Sequence, residues 1–148
     1  MNDAEVVAGR APDHASHTHR LGRLAITGVI ATLAAMVATT LAAALARGLG
    51  VDFEVSDSGE TIPLAGIAVV TGFFSVVGTV IAAVLLRWST RPAERFVWTA
   101  ALLTVISFVP PLLYGASTAT TTALLGLHLV AASVMIPALA RSLRTRTD

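Results

Sequence analysis

Four sets of side chains in this 148-residue sequence have the types and spacings to do chemistry. His128 stands alone inside a long apolar stretch, and an ionisable group buried in hydrocarbon marks a functional candidate, either a ligand or a proton relay; the more economical reading is a neutral ring that donates to a hydroxyl or carbonyl on a facing helix. Thr71, Ser75 and Thr79 recur every fourth residue. On a helix they form one hydroxyl ridge, which can line a polar path or hydrogen-bond to its own backbone and to a neighbouring helix. Asp52, Glu54, Asp57 and Glu60 place four carboxylates within nine residues. That density suits a hard cation such as calcium, but the order D-x-D-x-D-G of an EF-hand loop is missing. His14, His17 and His19 are spaced H-x-x-H-x-H, and three imidazoles suit a transition metal. Without a supporting carboxylate, the economical reading is a solvated tail that holds no metal.

The elements that must position these groups are apolar helices. Ile62 to Leu86 is a run of 25 residues without a charge, longer than the roughly 20 that cross a bilayer. The periodicity and length predict four spans: 24–46, 62–86, 96–115 and 119–140. The first ends in Ala44-Leu45-Ala46, which resembles a signal-peptidase site. Its apolar run of 23 residues exceeds the 7–15 of a signal peptide, so it reads as a span. Within it Gly28, Thr32, Ala35, Thr39, Ala42 and Ala46 repeat at alternating intervals of four and three, a seam of small residues along which another helix can approach. Pro110-Pro111 in the third span removes two amide donors and predicts a kink or unwound turn. His128 falls about nine residues into the fourth span, near mid-bilayer at ~1.5 Å per residue.

Residues 1–23 are polar and aperiodic, and read as a disordered cytoplasmic tail. In the first loop Val51, Phe53 and Val55 alternate with Asp52 and Glu54 before Ser56-Asp57-Ser58-Gly59, the pattern of a short β-hairpin. The second loop, Arg87 to Arg95, is basic and bracketed by Trp88 and Trp98, residues that settle at headgroup level; Arg95 and the residues around it suit acidic lipid headgroups, with ordinary topology signalling the more economical reading. Residues 141–148 form a basic tail. Arginine totals three in the first tail, three in the second loop and three in the last tail, against Arg47 alone in the outer loops. By the positive-inside rule both termini face the cytoplasm.

Composition narrows the function further. Hydrophobic residues make up 55% of the chain and charged ones 13%, with a mean hydropathy of +0.77; soluble domains carry about 25% charge. A net charge of +1 excludes a protein built to neutralise nucleic acid, and the lack of cysteine excludes disulfide and thiolate chemistry. The fold class is therefore all-α, a membrane four-helix bundle.

The segments TGFFSVVG (71–78), RPAERF (91–96), Pro110-Pro111 and HLVAASVMIPALARSL (128–143) resemble small four-span membrane proteins of actinobacteria, grouped as a family of unknown function. The resemblance implies an integral plasma-membrane protein and assigns no catalytic, binding or cofactor residues. The reading is then a non-enzymatic bundle that packs with itself or with a membrane partner, with the lipid bilayer as its constant partner. The alternative is a small oligomeric transporter or channel using His128 and the Thr71-Ser75-Thr79 ridge. A membrane enzyme is the weakest reading, since group transfer needs a nucleophile with a base or a metal and the spans offer one histidine.

Overall fold

The computed structural model describes residues 12–55, 59–114 and 117–144. Helix α1 runs Pro12–Gly48, α2 Leu64–Trp88, α3 Pro92–Ile106, α4 Val109–Tyr114 and α5 Thr118–Arg144. Four helical stretches in it are long and apolar enough to cross a membrane: Thr18–Gly48, Leu64–Trp88, Pro92–Leu113 and Thr118–Arg144. Helix α1 begins twelve residues ahead of the apolar run, so residues 12–23, read above as part of a tail, are helical. Once a helix is nucleated, each further residue adds one hydrogen bond without a new nucleation cost.

Local chemistry sets the ends of these helices. Gly50 closes α1 with φ +90. Its amide donates to the Arg47 carbonyl at 2.9 Å, and that of Val51 reaches the Ala46 carbonyl at 3.0 Å. This pairing captures carbonyls that a helix end leaves open. Strands β1 (Glu54–Val55) and β2 (Glu60–Thr61) then pair antiparallel, Glu54 opposite Thr61 and Val55 opposite Glu60. Pro92 opens α3 at a position where a missing amide costs nothing, with Glu94 in the first turn. The Ser117 hydroxyl caps α5 by accepting the Thr120 amide at 3.1 Å.

The third span is two helices. Helix α3 ends as the Ser107 amide donates to the Leu103 carbonyl and that of Phe108 to Val105. Helix α4 restarts at Val109, which puts Pro110 and Pro111 in its first turn, where proline is tolerated. The break therefore precedes the proline pair, because neither proline has an amide to donate back to the carbonyls of Ile106 and Ser107.

Helix α1 packs against α2 and α5, and α3 packs against α5 and α2. One core cluster joins Leu24, Ala31 and Ala35 to Ala82, Phe96, Leu139 and Leu143; a second joins Ala43 and Phe53 to Ile67 and Leu127. Early α1 thus meets late α2, early α3 and late α5, so consecutive spans run antiparallel. Arg20, Arg23, Arg87, Arg91, Arg95, Arg141 and Arg144 gather at one end of the bundle. Asp52, Glu54 and Glu60 are exposed at the other, beside Arg47.

Along most of α1 the inward side chains are small and the outward ones large. Ala31, Ala35, Thr39 and Ala43 are buried on α1, while Ile26, Ile30, Leu33, Val37, Leu41 and Leu45 are exposed on it. On α2 Phe73 and Phe74 point outward, edge to face at 5.4 Å between ring centroids. Exposed apolar area this continuous is not tolerated by a monomer in water; hydrocarbon solvates it.

Candidate functional site

The hydroxyl ridge of α2 faces α1. The Thr39 and Thr71 hydroxyl oxygens lie 3.2 Å apart across the two helices. Thr39 also reaches the Ala35 carbonyl at 2.9 Å. One hydroxyl carries one hydrogen, so with Thr39 donating to its own helix Thr71 donates across to Thr39. Thr79 donates to the Ser75 carbonyl at 3.0 Å, and Ser75 is buried. The two helices approach here because Gly28 lies against Thr79 and Gly72 against Met36. The ridge is thus bonded within a close helix pair.

His128 occupies a different face. Its Nδ1 lies 2.7 Å from the Leu124 carbonyl one turn earlier. A carbonyl only accepts, so Nδ1 carries the hydrogen, and in the neutral ring Nε2 keeps its lone pair. Among the described residues Nε2 has no hydrogen-bond partner. The ring sits edge-on to Phe108, 6.2 Å between centroids and 81° between planes. Phe108 belongs to the break between α3 and α4, where Ser107 donates to the Thr104 carbonyl at 2.7 Å. Thr121 reaches the Pro111 carbonyl at 3.4 Å from α5. The half-buried imidazole therefore lies beside the interrupted span, and its contacts are not with the ridge.

Asp52, Glu54 and Glu60 are exposed, and no group of three potential metal ligands occurs among the described residues. Asp57 lies outside the described residues, as do the side chains of His14 and His17; His19 is exposed on α1.

The sequence gives no prominence to Phe53, which the structure makes central to the acidic end. It is fully buried although its φ is +49, a left-handed conformation that costs a non-glycine residue about 1–3 kcal/mol. The Arg47 guanidinium sits 5.9 Å from the centre of its ring and donates to the Ile62 carbonyl; the Phe53 carbonyl accepts the Ile62 amide at 3.1 Å. One cation thus ties the end of α1 to the hairpin, in the range of a cation–π contact. The alternation of Val51, Phe53 and Val55 is the signal that could have singled Phe53 out.

Four apolar helices, packed around a core that alanine shares with leucine and phenylalanine, define a helical membrane protein of the four-span class. The chain belongs to the family of unknown function DUF6069, whose model matches residues 19–145. No curated protein matches it, and no solved structure does.

Proposed function

We propose that this is an integral plasma-membrane protein that works by packing, with itself or with a membrane partner, and not by making or breaking bonds. The observation that carries the proposal is the cover of the third span. In its apolar stretch 11% of the residues are buried, against 28% in the first span, and Leu102, Val105, Ile106, Leu112 and Leu113 all point away from the bundle. A span held this lightly has a free side for a second helix. Because the chain has no cysteine, the Val109→Cys and Leu113→Cys variants, both exposed at the end of the span away from Trp98, each carry one reporter. Oxidative cross-linking in native membranes is expected to give a dimer, or a larger adduct with a partner, at these positions but not at Ile26→Cys on α1. Equal cross-linking at all three, or none, refutes the packing role.

Both termini face the cytoplasm on this reading. Support comes from seven of the eight described arginines at the end that holds the start of α1 and the end of α5. An impermeant maleimide added to intact cells is then expected to label Glu60→Cys and to spare Thr90→Cys. The reverse pattern refutes the orientation.

A second reading is a small oligomeric transporter or channel, favoured by one geometry: the Nε2 lone pair of His128 beside a broken span. Breaks of this kind are tolerated in membranes where they line a cavity or are covered by protein. On this reading flux into proteoliposomes is lost in His128→Ala. Flux indifferent to that change refutes it.

A further inference from the structure

We propose that the hollow between the start of α3 and the last turn of α5 binds the phosphate of an anionic phospholipid. The proposal rests on the membrane reading above. The hollow holds about 350 Å³ and is lined by Thr90, Arg91, Glu94, Trp98, Leu143 and Arg144 among others. Arg91 from the turn before α3 and Arg144 from the last turn of α5 both line it, and a guanidinium offers the fork of donors that matches a phosphate. Glu94 is the one carboxylate in the wall. It holds Arg91 only at 3.5 Å, with both side chains more than half exposed, a pairing worth little in water that a phosphodiester can displace.

The other wall says which phosphate. Leu143 is buried and closes the floor. Trp98 is 73% exposed, and Leu102 and Val105 continue its line along α3 at helical spacing, both exposed. A headgroup in the hollow would have its acyl chains on this apolar track, with the indole at the boundary between headgroup and hydrocarbon. Trp88, 76% exposed, ends α2 at the same level. A free phosphate would use the arginines and leave the track unused; a lipid uses both. Charge, shape and depth thus select an anionic lipid.

The test is lipid retention by the purified full chain in detergent, read by native mass spectrometry with phosphatidylglycerol and phosphatidylcholine supplied equally at about 0.2 M salt, where diffuse surface attraction is largely screened. Phosphatidylglycerol is expected to be retained preferentially. Arg91→Gln with Arg144→Gln is expected to lower that retention roughly thirtyfold, about fivefold for each arginine, while phosphatidylcholine is unchanged. Arg95→Gln with Arg141→Gln removes the same charge from the same end but outside the hollow, and is expected to cost less than about fivefold. Glu94→Gln is expected to raise retention. Inorganic phosphate at matched concentration is expected not to displace the lipid. Equal losses in the two arginine pairs, no preference between the lipids, lower retention in Glu94→Gln, or ready displacement by phosphate would each overturn the site. Alkaline carbonate extraction of wild-type membranes separates the two levels of the proposal. A chain released by carbonate sinks the membrane reading itself, whereas one that stays in the pellet but shows no lipid preference sinks only the site.

Discussion

Replacing glycines one at a time by alanine tests the closeness of α1 and α2. A Cβ on Gly28 would overlap Thr79 Cγ2 and lie 2.8 Å from Thr79 Oγ1 and 3.2 Å from its Cβ. Ordinary contacts between carbons fall near 3.5–4.0 Å, so either the helices part or Thr79 rotates. Rotation sacrifices the 3.0 Å bond from Thr79 to the Ser75 carbonyl. Overpacking of this kind costs about 1–3 kcal/mol, and the better helix propensity of alanine returns about 1 kcal/mol. The net expectation for Gly28→Ala is a loss of up to roughly 2 kcal/mol. At Gly72 the nearest atom is Met36 Sδ, at 2.9 Å. A flexible thioether can yield, so Gly72→Ala is expected to be near neutral. At Gly78 nothing lies within 4 Å, and Gly78→Ala is expected to gain about 0.5–1 kcal/mol. All three positions are mid-helix and apolar, so errors in the propensity scale largely cancel within the series. The assay is reversible unfolding in mixed micelles by SDS titration, followed by circular dichroism. If Gly28→Ala proves as stable as Gly78→Ala, the packing described for α1 and α2 is wrong.

Three further outcomes follow from named contacts. Thr39→Val and Thr71→Val, taken singly and together in the same unfolding assay, are expected to show a coupling of about 0.6 kcal/mol, the usual worth of a hydrogen bond between membrane helices; additive losses would mean the hydroxyls do not pair. Phe53→Ala is expected to destabilise by about 3 kcal/mol through the emptied space around Ala43, Ile67 and Leu127. Phe53→Gly should be no worse than Phe53→Ala, because glycine relieves the φ of +49; the usual order, glycine worse, would contradict the left-handed backbone. Arg47→Ala is expected to cost about 1 kcal/mol by loss of the cation–π contact and the bond to the Ile62 carbonyl, measured by faster amide exchange in residues 59–62 than in α5.

Much of the architecture is legible in the residues alone. Four uncharged runs near or above 20 residues have few alternatives in a chain this apolar. Two paired prolines announce a break, and the alternation of residues 51–55 announces a hairpin without saying that Phe53 is its buried member. These features follow from local rules, since length, charge and missing amides act wherever the segment ends up. The helix face is another matter. The spacing of small residues suggests a seam of Gly28, Thr32, Ala35, Thr39, Ala42 and Ala46, whereas the line buried on α1 is Leu24, Gly28, Ala31, Ala35, Thr39 and Ala43. Three members coincide. In a run this rich in alanine nearly every face carries small residues, so composition cannot choose among them. The choice is made by α2 and α5 pressing on α1 together. The same holds for the candidate groups: adjacency in the chain made Thr71, Ser75 and Thr79 one ridge, but only the fold turns that ridge toward Thr39 and sets His128 against Phe108. Which side chains meet depends on how helices rotate about their own axes. That rotation is fixed by contacts between segments far apart in sequence, which no local pattern encodes.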